Sequence, residues 1–363
     1  MKKNYLKNLF FGLFTVLLLA GTFVACSDSD DDPSDPIKAE LAELNEAIKS
    51  SQALLDAPTV DEDYPEKAIS DFKKVVDAGK AVQANDKATQ AQVDAIVVQL
   101  NKAKESFLAA AYGAIPDSAL LMGLTFDEEV NDNKIVTAGK GWVAELAKGP
   151  SEIFNADTGF PTFVTGKIGK AIRFEKGSHL EVNDYSSADL LSSQLSVATW
   201  VKPDSTRAGN YIISYNYWNS FKFQLQEQNK PFFTIHTNED GWVDADNEHE
   251  MSAPNNEWTH LVVTLNMNTK KIVFYVDGEL TQEWDDTTKE GLIGTGAYDY
   301  ETVLPLMIGA CTTYAEADAE WDWEWSKTPD GWDHFVGLMD EFKLYNIALD
   351  EGQVAKLFRD ENI

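Results

Sequence analysis

The stretch Phe335 to Phe358, FVGLMDEFKLYNIALDEGQVAKLF, decides how the second half of this chain is built. Val336, Leu338, Phe342 and Leu344 alternate onto one face, the period of a half-buried strand. Asp340 falls on that same face, and a carboxylate among apolar side chains is costly unless something pairs with it. Beyond the strand, Asp350 is placed to cap a short helix whose apolar side holds Val354, Leu357 and Phe358.

Upstream of this stretch the period is two as far back as Ala119. Candidate strands are Ala119–Phe126, Lys170–Phe174, His179–Val182, Leu195–Pro203, Tyr211–Asn216, Phe221–Gln226 and Phe232–Thr237, then WTHLVVTLN, KIVFYVDGEL and LPLMIGA. Asp277-Gly278 is a tight-hairpin signal. Many short strands separated by Asn, Gly, Pro and Asp predict an antiparallel β-sandwich over residues 117–363. The landmarks LTFDE, GKIGKAIRFEKGSHLEV, LSVATWVKP, EWTHLVVTLN, KIVFYVDGEL, LMIGA and FVGLMDEFKLYNIAL, in that order, resemble the laminin-G-like (LamG) domains of the concanavalin A-like type. The resemblance implies a jelly roll whose first and last strands pair. It says little about activity, because such sandwiches host lectins, adhesins, enzymes and spacers.

Residues 36–113 have a helical period instead. Asp35-Pro36 opens a first helix with Leu41, Leu44, Ile48 and Leu55 on one stripe, and Pro58 closes it. Pro65 opens a second with Ile69, Phe72 and Val76. Thr89 and Gln92 form a capping box for a third, in which Val93, Ile96, Val97, Leu100, Ala103 and Phe107 keep register. Three such helices joined by short turns predict an antiparallel three-helix bundle. The segments DYPEKAISDFKKVVDAGKAV and TQAQVDAIVVQLNKAKESF resemble the FIVAR-type repeats of surface proteins, which suits a stalk.

The N-terminus reads as an address. Lys2, Lys3 and Lys7 precede an apolar run that ends in Phe23-Val24-Ala25-Cys26, so residues 1–25 are expected to be a signal peptide. A small residue before Cys26 resembles the lipobox of bacterial lipoproteins, with Cys26 as the lipidated residue. Residues 26–35, rich in Asp and Ser, form an acidic tether that has no means of burying itself. Acids directly after such a Cys resemble the export signal of Bacteroidetes surface lipoproteins, which implies an outer-membrane protein facing outward.

The formal net charge of −30 opposes nucleic acid and anionic lipid as partners. Cys26 and Cys311 are the only cysteines, too few for a disulfide framework or a zinc cluster, and Cys311 suits a small buried apolar role. The five histidines lack metal spacing. The sequence carries no phosphate loop and no dinucleotide motif.

Candidate chemistry concentrates in TTYAEADAEWDWEWSKTPDGWDH, Thr312 to His334, longer than the connection the family resemblance implies there. Trp321, Trp323, Trp325 and Trp332 stand there among Glu316, Asp318, Glu320, Asp322, Glu324 and Asp333. Aromatic faces stack on the C–H faces of sugars and carboxylates accept from their hydroxyls, so the composition suits a glycan site. The plainer alternative is that the tryptophans anchor the loop onto the sandwich. Tyr217 and Trp218 lie in a second aromatic loop. Trp242 lies in a third, near Asp244, Asp246, Asn247, Glu248 and His249, where a solvated acidic turn is the simpler expectation. The three form a cleft if they share a rim. Glu320-x-Asp322-x-Glu324 also resembles the motif of laminarinase-like retaining glycosidases, implying Glu320 and Glu324 as nucleophile and acid/base with Asp322 orienting. The motif stands in a late insertion rather than on a mid-domain strand, which disfavours catalysis. The family resemblance further implies one structural Ca²⁺, with Asp127 and Asp340 as its acids. Backbone amides or Arg173 are the alternatives for Asp340. Together these features predict an outer-membrane lipoprotein that captures polysaccharide non-covalently, with a retaining glycosidase and a glycan-independent adhesin as alternatives.

Overall fold

The computed structural model describes residues 40–155, 158–190, 192–237, 241–289, 292, 304–319 and 326–363, with the backbone of Glu320. The signal peptide, Cys26 and the acidic tether lie outside the described residues.

Helices Ala42–Leu55, Glu66–Gln83 and Gln90–Ala109 pack on one another, with a short helix Val60–Asp63 in the first turn. Thr89 and Gln92 cap the third long helix reciprocally. Leu44, Ile48, Phe72, Val76, Val93, Ile96, Val97, Leu100 and Phe107 bury the shared core, the stripes the sequence predicts. Tyr64 and Phe72 both stack on Phe107, with centroids 4.0 and 4.6 Å away.

The rest of the chain is a sandwich of two antiparallel sheets. The first runs, strand beside strand, Glu279–Asp285, Lys271–Val276, Thr259–Asn266, Gln194–Pro203, Gly337–Tyr345, Leu120–Leu124 and Ala138–Gly139. Lys170–Phe174 also pairs with Gly337–Tyr345 and carries Thr162–Thr165. The second runs Gly241–Asp246, Lys230–Thr237, Phe221–Gln226, Asn210–Tyr215, Leu306–Ile308, His179–Val182, Val143–Ala147 and Lys134–Val136. Between them lies one core in which Phe174, Val197, Phe221, Phe223, Phe233, Phe274, Phe342 and Leu344 are buried. Each such side chain contributes about 1.5–3 kcal/mol by leaving water.

The first and last strands pair as expected, Met122 opposite Leu344 and Leu124 opposite Phe342. The deciding strand corrects its own sequence pattern. Asp340 stands opposite Trp200 and Lys343 opposite Ala198, so two residues on one strand face one on the other. This is a β-bulge, with Glu341 left-handed at φ 48°. A bulge exchanges the faces of a strand, so the core takes Met339 before it and Phe342 and Leu344 after it, while Leu338 is only half-buried. Asp340 therefore sits at the kink rather than in a continuous apolar stripe.

Asp350 and Gln353 cap the last helix, Glu351–Glu361, with a full capping box. Val354 and Leu357 pack with Tyr345, Ala198, Val262 and Tyr275 on the outer face of the first sheet. Phe358 stacks on Trp200 at 5.6 Å. The same helix also holds the helical region. Arg359 lies 4.2 Å over the ring of Tyr112 and donates to the carbonyl of Glu62 at 2.6 Å. Gln353 donates to the carbonyl of Ala114.

Candidate functional site

The outer face of the second sheet carries polar and aromatic residues in rows. Inward positions Phe221, Phe223, Phe233, Ile235, Val243 and Ala245 belong to the core, so alternate residues point away from it. One row runs Asp244, Thr234, Lys222, Ser214 and Met307, each directly opposite the next. A parallel row runs Asp246, Phe232, Gln224 and Tyr211.

At the edge of this face, Trp242 is opposite His236. Gly241–Asp246 is a strand, not the acidic turn expected from sequence, because Val243 and Ala245 alternate into the core. The indole of Trp242 is 56% exposed. One of its faces rests on the His236 imidazole, centroids 4.6 Å apart and planes 20° apart. His236 is itself held in place: its Nδ1 is 3.0 Å from the carbonyl of Asn219, and its backbone amide donates to the carbonyl of Ser220. Asn219 closes the loop that holds Tyr217 and Trp218, where Asn216 and Tyr217 are both left-handed at φ 55° and 59°. His236 thus joins two of the aromatic loops singled out in the sequence.

The Tyr217 hydroxyl lies beside Thr312 and Glu316, where the late insertion begins, and burial pushes its pKa well up. All three loops therefore share one rim. Their aromatic rings are not equally open. Tyr217 is buried, and Trp218 is half-buried with its ring 5.7 Å from that of Tyr217. Trp332 is buried, packed with Ile153, Ala317, Phe154 and Tyr314. For Trp332 the anchoring alternative holds, and Tyr217, named as a binding residue from sequence, is buried too, so neither ring presents a face to a ligand. Trp321, Trp323, Trp325, Asp322, Glu324 and the side chain of Glu320 lie outside the described residues.

Inside the rim, the Lys222 ammonium lies 5.1 Å from the Tyr211 ring centre and 4.8 Å from that of Phe232, and donates to Gln224 Oε1 at 2.5 Å. Burial lowers its pKa, opposed by Asp244 and Asp333. Burial pushes the Asp333 carboxyl up to about 6, against the pull of Lys222 and Arg207. Arg207 donates to the carbonyl of Trp332 at 3.1 Å. Cys311 is fully buried beside these groups, as its place after a strand suggested. Asn247, also near the third loop, is wholly buried and donates to Ser252 Oγ.

Asp127 and Asp340 meet a single loop from two sides. Asp340 Oδ2 accepts from the amides of Lys167 and Ile168 at 2.8 and 3.0 Å, and its Oδ1 accepts from the amide of Glu341 at 2.8 Å. Burial pushes the Asp340 carboxyl up to about 7, and these amides hold it back. Asp127 Oδ1 accepts from the amide of Lys170 at 3.0 Å. Arg173 pairs instead with Asp204. A calcium ion needs converging oxygens, whereas the groups around Asp340 are N–H donors. These two acids do not fit a calcium cage, and among the described residues no group of three or more His, Cys, Asp or Glu side chains is placed to hold a metal. Among the described residues no helix is long and apolar enough to cross a membrane.

Residues 174–299 match the Laminin_G_3 family model, described as the Concanavalin A-like lectin/glucanases superfamily. No curated protein matches the chain. Among solved structures, the binding domain of Paraclostridial Mosquitocidal Protein 1 is similar at 17% identity and a TM-score of 0.45, over 67% of this chain and 52% of that one. Domain 4 of AbnA, a GH43 extracellular arabinanase from Geobacillus stearothermophilus in complex with arabinotriose, is similar at 20% identity and a TM-score of 0.44, over 66% and 98%. The binding domain of botulinum neurotoxin DC in complex with rat synaptotagmin II is similar at 13% identity and a TM-score of 0.43, over 68% and 52%. The chain thus spans 52% of the mosquitocidal and neurotoxin structures.

Proposed function

We propose that the sandwich binds carbohydrate without cleaving it. The observation that carries this is the open indole face of Trp242, 56% exposed, backed by His236 at the rim where the three aromatic loops meet. An indole held at a fixed tilt presents an apolar plane to the C–H face of a sugar ring at little entropic cost, because the stack already limits its rotamers. Asp244, two residues on and on the same face, is exposed and supplies an acceptor for hydroxyls. Thr234 donates to its Oδ1 and fixes its direction.

Affinity electrophoresis through neutral polysaccharides, with a glycan array, tests the proposal. Retardation of the wild type, lost in Trp242→Ala, supports it. An unretarded wild type on every polysaccharide refutes it and favours a glycan-independent adhesin. Release of reducing sugar, abolished in Glu320→Gln, replaces it with a retaining glycosidase.

In the same reading the chain is a surface lipoprotein, carried by a lipid on Cys26 and held off the outer membrane by the tether and the helical region. The support is the apolar run ending at Cys26 and the acids that follow it. Metabolic labelling with a fatty-acid analogue tests this: label in the wild type and none in Cys26→Ser is the expected result.

A further inference from the structure

At the Trp242 edge, the outer face of the second sheet is open over a strip one strand wide. Trp242 and Asp244 are exposed and Asp246 is half-buried, and all three point away from the core because Val243 and Ala245 between them point into it. On the next strands inward, Thr234, Lys222, Gln224 and Tyr211 are buried, so no ligand lies across those strands. The border reopens at one end, where Phe232, half-buried, stands directly opposite Asp246. Among the described residues, a ligand stacked on Trp242 therefore has one direction in which to extend, lengthwise toward Asp246. Trp242 and Asp246 are four residues apart on an extended strand, or about 13–14 Å. That is the length of a trisaccharide.

The far end of the strip is equipped much as the near end is. Phe232 offers a second aromatic ring, with the Lys222 ammonium 4.8 Å from its centre. Lys230 Nζ donates to Asp246 Oδ2 at 2.8 Å, and no hydrogen bond reaches Asp246 Oδ1 among the described residues. An ammonium beside a free carboxylate oxygen matches a sugar hydroxyl, which accepts from the one and donates to the other. Asp244 stands between the two rings, with its Oδ1 taken by Thr234 and its Oδ2 left for a ligand. The charges oppose an acidic sugar: Asp244 and Asp246 outnumber Lys230 along the strip, on a chain of formal charge −30.

Resting on the carbohydrate reading above, we infer that the site takes a linear neutral oligosaccharide lengthwise along Gly241–Asp246, with Phe232, Asp246 and Lys230 as a second subsite. One ring of the sugar chain stacks on Trp242, the hydroxyls of the next donate to Asp244, and the third meets Phe232 and the Asp246–Lys230 pair. Such a strip reads chain length. A disaccharide stops at Asp244, and a trisaccharide reaches the end.

Isothermal titration with linear di- and trisaccharides of glucose, xylose and arabinose, and with trigalacturonic acid, tests the assignment on the wild type, Asp246→Asn, Phe232→Leu and Trp242→Ala. Asp246→Asn breaks only a partly exposed ion pair, which costs the fold little, and Phe232→Leu keeps an apolar side chain without the ring plane. The expected result is a neutral trisaccharide bound about three- to tenfold more tightly than its disaccharide by the wild type, the gain of one hydrogen bond or one stacked ring. Asp246→Asn and Phe232→Leu each remove much of that gain and leave disaccharide affinity at the wild-type level, whereas Trp242→Ala weakens both ligands. Equal binding of the two lengths by the wild type, an undiminished gain in either far-end variant, a matching loss of disaccharide binding there, or preference for trigalacturonic acid overturns the second subsite while the Trp242 platform stands. A wild type that binds no saccharide overturns both.

Discussion

His236 and Trp242 face each other across neighbouring strands with their rings 20° from parallel, and His236 is at once bonded to the loop that holds Trp218. The imidazole is therefore the hinge on which the exposed indole and the adjacent loop keep their spacing. Removing it in His236→Ala is expected to weaken glycan binding about three- to tenfold, since a stacked aromatic pair is worth about 0.5–1.5 kcal/mol. Titration of the variant, with tryptophan emission as a second signal, checks this. An affinity equal to that of the wild type would show that Trp242 needs no support.

Asp340 holds three backbone amides around the bulge that exchanges the faces of the last strand. In Asp340→Ala these donors lose their acceptor. The expected loss of stability is about 2–4 kcal/mol, less than three full penalties because water reaches part of the loop. Urea denaturation reads it directly. Added calcium is expected to leave the midpoint of the wild type unchanged, and a calcium-dependent rise would contradict the amide account.

His260 offers a pH test. It is wholly buried between Trp200 and Phe358, neither ring nitrogen makes a hydrogen bond although Nε2 lies 3.6 Å from Glu361 Oε2, and burial, with Lys343 nearby, pushes its pKa down to about 3. The unfolded chain takes up a proton near pH 6.5 that the folded chain refuses until about pH 3. Stability is thus intact above pH 6.5 and falls as the pH drops through that window, by up to about 1.4 kcal/mol per pH unit. In His260→Phe the decline between these values is expected to be shallower. Parallel stability curves for the two proteins would exclude His260 as the source.

Arg359 joins the last helix to the helical region through Tyr112 and the Glu62 carbonyl. Arg359→Ala is expected to weaken that junction by about 1–2 kcal/mol. Faster limited proteolysis between Ala110 and Ile115, with the sandwich left intact, is the corresponding observation. Unaltered cleavage there would mean that Gln353 and the linker suffice.

Much of the fold was legible because it follows from short-range periods. The Thr89 capping box, the Asp350 cap, the helical stripes and the strands from Lys170 to Val182 depend on residues within a few positions of each other. The bulge at Asp340 was not, because its cause lies in a loop more than 170 positions away in the chain, where Lys167 and Ile168 present their amides. The meeting of the aromatic loops was foreseen only as a condition. His236 was passed over since a histidine in a strand has no local mark of its partner. Its place opposite Trp242 follows only once Gly241–Asp246 is recognised as a strand, and the alternation of Val243 and Ala245 was the available sign. Trp332 looked like the other tryptophans of its segment, and only packing against Ile153 and Ala317 distinguishes it.

The last helix grips both the first sheet and the helical region, while Trp242 stands at the far edge of the second sheet. A tug transmitted along the chain from its N-terminal side therefore enters through Tyr112 and the paired strands Leu120–Leu124 and Gly337–Tyr345, where it is resisted by a ladder of hydrogen bonds. The loops around the indole lie outside that path of tension. A pull from that side would strain the paired strands before it reached the loops that set the indole.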